Sequence, residues 1–292
     1  MVNIRSTLKA GLASLLIGLS SCSKSEPTEA ETYFHNFPIA LDGAREVQKY
    51  ETPGAKHCLV HVEQVHQALP KISFIKEQTK IDQISANGSE SSSWIKSNRE
   101  GLLMYREVVR ENLNEASTIQ RDIETILLYL KNKNGLKSIR LESCFKDDSP
   151  QDCQKEITSR SSFYSDSGYT TKEEISNSGK YWYSNGAGRI LGSKGLLEIK
   201  ASENIDINST SYLLVHLAKT SEERDKAIRV TSDIRENHVL DVLYSSCEPY
   251  SVVVFGVDHD FRDNLNKWDA QHPKDKFSLI VVTPKSYRED KK

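Results

Sequence analysis

The chain predicts an α/β fold: a mostly parallel central sheet flanked by helices, built as a single domain with surface insertions. Three observations carry that prediction. Short β-branched runs alternate with helix-spaced apolar stripes between residues 51 and 292, the alternation from which parallel sheets are built. No second apolar span or internal repeat divides the 292 residues, and 37% hydrophobic with 27% charged content is enough for one sizeable core. Carboxylates and imidazoles recur just after the β-branched runs, where open α/β sheets bind their ligands.

The first 21 residues read as a targeting segment rather than as part of the fold. Arg5 and Lys9 precede Gly11–Leu19 (GLASLLIGL), an apolar run well short of the roughly 20 residues that span a bilayer. Leu19-Ser20-Ser21-Cys22 then has the Leu–small–small–Cys order at which bacterial lipoprotein precursors are cleaved and their Cys acylated. An ordinary secretory signal containing a Cys is the alternative. The expectation is therefore a signal peptide over 1–21, lipidation with palmitate-type acyl chains at Cys22, and a cell-envelope protein held to its membrane partner by several chains. With Ser23 after the Cys, the outer membrane is the expected location if the cell has one. Residues 22–50, beginning SKSEPTEAE after the Cys, are expected to form a flexible tether.

Removing residues 1–21 takes two of the 39 basic residues and leaves 37 against 41 acidic ones, a net charge of −4. That balance disfavours nucleic acid as a partner. Cys58, Cys144, Cys153 and Cys247 remain beside Cys22, an even number that permits two disulfides in an exported chain. Cys144 and Cys153 bracket a short polar loop and form the expected local bridge. Cys58 and Cys247 can pair if their strands are neighbours, or stay as free thiols.

In chain order, Lys56–Val62 is the first expected strand, after the turn at Pro53-Gly54. Ser117 and Gln120 are expected to cap a helix whose stripe is Ile119, Ile123, Ile126, Leu127 and Leu130, stopped at Asn134-Gly135. Leu136–Leu141 and Leu196–Ile199 are the next strands. Ser221–Leu243 follows as a long charged helix with Val230, Ile234, Val239 and Val242 facing inward. Tyr250–Phe255 and Phe277–Val282 complete the sheet, while Ser85–Ser97 and Phe145–Tyr181 read as surface insertions.

The strand ends supply the candidate site. The first ends in His61-Val62-Glu63-Gln64-Val65-His66, the second in Glu142, the third near Glu203, and the fourth in Gly256-Val257-Asp258-His259-Asp260. His and carboxylate together suit either a divalent metal or metal-free acid–base chemistry. His-x-Glu-x-x-His here leaves a strand, so the helical spacing of zincins does not apply, and no Gly-x-Ser-x-Gly supports a serine nucleophile.

These motifs resemble the TraB/Tiki family and its relatives, the erythromycin-esterase-like and ChaN-like proteins. The shared features are VVVFGVDH with Gly256 and His259, the helix triplet Arg235-Glu236-Asn237, Leu141-Glu142, and His66 at the early histidine position, with Glu63 where the family has Gly. The resemblance implies a metal-assisted hydrolase in which His66, Glu142 and His259 bind zinc, manganese or iron, Glu203 or Glu63 acts as base, and Arg235 stabilises developing charge. It equally implies a haem- or metal-binding lipoprotein without turnover, or an inactive member. The resemblance and the topology share one expectation: His66, Glu142, Glu203, Arg235 and His259 meet in one cleft.

Overall fold

The computed structural model describes residues 26–64, 93–142, 144–145, 153 and 179–287, with side chains from residue 114 in the first long helix and from 185 in the next. The expected signal peptide, Cys22 and His66 lie outside these residues. Six strands form one sheet in the order β1-β6-β2-β5-β3-β4: β1 Ala44–Tyr50, β2 His57–Gln64, β3 Ser138–Leu141, β4 Glu198–Lys200, β5 Tyr250–Gly256 and β6 Phe277–Pro284. All pairings are parallel except β1 with β6. The helices described are α1 Glu29–Asn36, α2 Ser93–Asn134, α3 Gly179–Ser193, α4 Ile205–Leu217, α5 Ser221–Ser246 and α6 Phe261–Gln271.

The chain runs outward from β2 to β3 and β4, then reverses through α4 and α5 to place β5 between β2 and β3, and α6 leads to β6 on the far side of β2. Because parallel crossovers are right-handed, connections running in opposite directions put their helices on opposite faces. The two cores show this. Cys58, Val60, Val62, Val252 and Val254 pack under α1, α2 and α3 on one face. Leu59, Val253, Phe255 and Leu279 pack under α5 and α6 on the other, against Val239, Leu240, Leu243, Phe261 and Trp268. Every parallel strand therefore ends on the same edge.

Several expectations need correction. Residues 28–50 are not tether. Thr28 and Glu31 form a capping box, Ala30 and Phe34 of α1 are buried, and β1 adds an antiparallel edge to the sheet. Polar residues dominate β1 because an edge strand is half solvated, which hid it from a search for apolar runs. Ser117 caps nothing, since α2 begins at Ser93. Gln120 instead accepts a hydrogen bond from Ala187 N at 2.8 Å, where α3 breaks at Gly186. On α5 the buried positions are Thr231, Glu236, Val239, Leu240 and Leu243, while Val230 and Ile234 are exposed and Val242 is half-buried. Polar Thr231 and Glu236 face inward because that helix covers the site as well as the core.

Cys144 and Cys153 form the expected disulfide. Cys58 and Cys247 are both free, although β2 and β5 are neighbours. Cys58 is buried on β2, whereas Cys247 is exposed in the left-handed C-cap of α5 (φ 53°). No described helix is long and apolar enough to cross a membrane.

Gly188 lets α3 lie against β3: a Cβ there would stand 2.4 Å from the Leu141 side chain and 2.9 Å from Ile139. Gly188→Ala is expected to lower unfolding free energy by about 1–3 kcal/mol, measured by urea denaturation, because overpacking must push β3. The disulfide makes a second prediction. Cys144 O accepts from Ser202 N and Glu203 N, both at 3.2 Å, so the bridge braces the turn that carries Glu203. Cys153→Ser is expected to cost about 2–4 kcal/mol, and dithiothreitol should lower the wild-type melting temperature but not that of the variant.

Candidate functional site

Four of the five side chains expected to converge do so, at the carboxyl edge of the sheet. Glu142 follows β3, and its backbone N–H donates to Val254 O of β5 at 3.1 Å. Glu203 follows β4, held by the Cys144 carbonyl and by a parallel bridge to Phe145. Ser202 Oγ donates to Leu141 O at 2.6 Å and fixes the same corner. Arg235 reaches down from α5 between the two carboxylates. Its Nε donates to Glu203 Oε1 at 2.6 Å and its Nη2 to Glu142 Oε1 at 2.6 Å. Glu142 Oε2 accepts from Gly256 N at 2.7 Å.

The guanidinium is largely buried, which works against its charge, but Glu142 and Glu203 outweigh that cost and hold it protonated above its ordinary value. With two of its nitrogens committed to carboxylates, Arg235 holds the frame. The expected role of stabilising charge on a substrate does not match this geometry. Glu203 is buried and bound to the same guanidinium.

His259 follows β5 and is buried between two carboxylates. Nδ1 lies 3.0 Å from Glu236 Oε1 and Nε2 lies 3.6 Å from Glu142 Oε1. Burial disfavours its charged form, yet Glu142 and Glu236 together raise its pKa to about 9, with Arg235 opposing. Burial in turn raises Glu236, against the pull of His259. His259 is therefore an imidazolium at neutral pH.

A polar pocket of about 360 Å³ opens beside this pair, lined among others by His61, Glu63, Asp258, His259 and Thr283. Glu63 stands in it as expected, with Oε2 accepting from Thr283 Oγ1 at 2.5 Å. His61, in the strand-end run but without an expected role, shares a face with Glu63 through period-two alternation. Its Nε2 lies 3.3 Å from Phe255 O, which can only accept, so the proton sits on Nε2. Burial lowers its pKa to about 4. One pocket thus holds a protonated and a neutral imidazole. Glu236 was also missed as a site residue. The Arg-Glu-Asn triplet was its only signal, since a glutamate inside a charged helix otherwise reads as solvated.

The expected metal ligands Glu142 and His259 stand together, with His66 outside the described residues. Among the described residues no group of three or more His, Cys, Asp or Glu is arranged to hold a metal ion. Glu142 directs one oxygen at Arg235 and the other at Gly256, and both nitrogens of His259 face carboxylates. The two side chains are thus engaged as ion-pair and hydrogen-bond partners rather than left open as ligands.

Two predictions follow from these contacts. Arg235→Met leaves Glu142 and Glu203 buried without their cation and should cost about 3–5 kcal/mol by denaturant titration. The histidines set opposite pH arms. His259 binds its proton more tightly folded than unfolded, so its contribution is complete below about pH 6.5 and lost as pH rises toward 9. His61 is held neutral, so stability should fall as pH drops from about 6.5 toward 4. His259→Asn should flatten the alkaline arm alone and His61→Asn the acid arm alone.

Comparison with models of protein families, with curated proteins and with solved structures gives no match to this chain.

Proposed function

We propose that the chain is an envelope lipoprotein, anchored through Cys22, whose carboxyl-edge pocket performs acid–base hydrolysis. The observation that carries the reading is the meeting in one pocket of Glu63, His61 and a His259 ring set between Glu142 and Glu236. His259 is held protonated between Glu142 and Glu236, while Glu63 and neutral His61 line the same space. Environments that push titratable groups apart assign acid and base roles.

In this reading Glu63 takes a proton from the attacking water, and His259, held by Glu236 at Nδ1, donates one to the leaving group from Nε2, whose 3.6 Å separation from Glu142 is longer than a hydrogen bond. His61, kept neutral by burial, adds no positive charge beside Glu63. Arg235 keeps Glu142 and Glu203 in place, so that Glu142 holds the imidazolium without being a reacting group. The polarity of the pocket suits a polar acyl or glycosyl substrate better than a bare hydrocarbon. The lipid anchor concentrates the enzyme at a membrane and agrees with its acidic balance, which gives no attraction to nucleic acid.

The resemblance to TraB/Tiki-like proteins supports a hydrolase on this edge and also raises metal assistance as a variant. That variant requires His66 to reach the cluster and Glu142 to exchange Arg235 for the metal. Elemental analysis of protein purified without chelator separates the two: one equivalent of zinc, manganese or iron would establish the metal-assisted form.

The direct test is hydrolysis of a panel of esters, lactones, amides and glycosides by the full chain in the presence of EDTA. His259→Gln and Glu63→Gln should each lower kcat about 10²–10⁴-fold with the folded state retained by circular dichroism. No turnover above that of the doubly substituted protein on any substrate class would remove the hydrolytic reading.

A further inference from the structure

The α4–α5 hairpin has the opposite polarity from a helix pair that ends a fold. α4 holds Ile205, Ile207, Tyr212, Leu213, Leu214, Val215 and Leu217 within 13 residues, yet its buried residue is Ser211. Tyr212 is 74% exposed and Leu217 62%. Along α5, Val230 and Ile234 form an i, i+4 pair turned away from the buried Val239, Leu240 and Leu243, and Ile228 is exposed as well. Of the eleven large apolar side chains exposed among the described residues, nine lie on these two helices. A helix apolar on most of its surface is normally covered, and a cluster of this kind marks an interaction surface.

The charges around the cluster identify what covers it. From Ile205 to Asp233 the hairpin carries five acidic residues (Asp206, Glu222, Glu223, Asp225, Asp233) and four basic ones (Lys219, Arg224, Lys226, Arg229). A helix that lies on a membrane concentrates Lys and Arg on its polar face and uses Trp or Phe as anchors. This hairpin is nearly neutral and has neither Trp nor Phe in that stretch. Along α5 the signs are mixed but the net charge changes, from −2 over Glu222, Glu223, Arg224 and Asp225 to +2 over Lys226 and Arg229. An antiparallel two-fold arrangement brings each acidic turn toward the basic segment of the other copy, which is self-complementarity of the isologous kind.

The hairpin is also half of a familiar assembly. α4 and α5 are joined by the short link Ala218–Thr220 and are in contact; Ser211 is the buried residue of α4 and Thr231 is among those of α5, while Tyr212, Leu213, Val230 and Ile234 are exposed. Two such hairpins face to face make a four-helix arrangement with an apolar centre. We propose that the α4–α5 hairpin is the self-association surface of this protein, and that the chain forms a two-fold dimer through it. The surface lies next to the site without being part of it: Glu203 precedes Asn204, the N-cap of α4, and Arg235 follows Ile234 on α5.

Sedimentation velocity of the full chain in mild detergent tests the assignment. Wild-type protein at micromolar concentration should sediment as a dimer. Leu213→Glu combined with Leu217→Glu should give a monomer that stays folded by circular dichroism, because both residues are exposed in the single copy, and whose melting temperature no longer depends on concentration. Val230→Lys on the other helix should do the same. Cross-linking of a mixture of ¹⁴N- and ¹⁵N-labelled protein should join Lys219 and Lys226 between copies and fail to do so in the variants. A monomeric wild type overturns the proposal. If reconstitution into phosphatidylcholine vesicles then protects the hairpin from trypsin, the occupant is a bilayer instead. A monomer whose hairpin is protected without vesicles is covered by its own chain. A dimer that persists in all the variants places the interface elsewhere and overturns it equally.

Discussion

The carboxyl edge of this protein depends on one cation held between two buried carboxylates. Arg235 joins the end of β3 to the end of β4 through Glu142 and Glu203, and it does so from a helix on the opposite face to α2 and α3. Without it two buried carboxyl side chains would lose the cation they share, and an uncompensated charge in the interior costs several kcal/mol. Everything else at the edge takes its place from that ion pair. Glu142, fixed by Arg235 and by Gly256 N, is the surface against which the His259 imidazolium rests. Glu236 closes the other side of the ring from the very next position on α5.

The arrangement has a clear division of labour. Glu142, Glu203 and Arg235 neutralise one another and form a rigid base. His259, Glu63 and His61 line the pocket, and the two histidines are pushed in opposite directions. The same histidine type is driven upward by two carboxylates at one position and downward by burial at another, within one cavity. Neither residue is unusual in the sequence. What separates them is whether a carbonyl or a carboxylate lies at the end of the ring nitrogen.

The fold was largely legible because its central strands are buried on both faces and therefore read as apolar runs. β2, β3, β5 and β6 all fall where the runs predict, and their shared direction follows from the helices between them. The failures share a physical origin. β1 was missed because an antiparallel edge strand has no apolar run to show. The inward face of α5 was misjudged because periodicity assumes that apolar residues seek the core. Here Val230 and Ile234 lie outward in the hairpin surface, while Thr231 and Glu236 turn in toward the sheet. Gln120 was assigned to a helix cap that a longer helix made unnecessary, and it serves α3 instead.

By itself the sequence determined the parallel α/β architecture, the local Cys144–Cys153 bridge and the gathering of Glu142, Glu203, Arg235 and His259 on one edge. These rest on short-range patterning and on topology, which makes every parallel strand end on the same side. Tertiary structure alone decided what those groups do to each other. Whether Arg235 faces a substrate or locks two carboxylates, and whether a histidine is charged or neutral, depend on contacts of about 3 Å between residues up to 194 positions apart in the chain. Such contacts leave no trace in spacing or composition, because electrostatics in a buried site is governed by distance and desolvation and not by order along the chain.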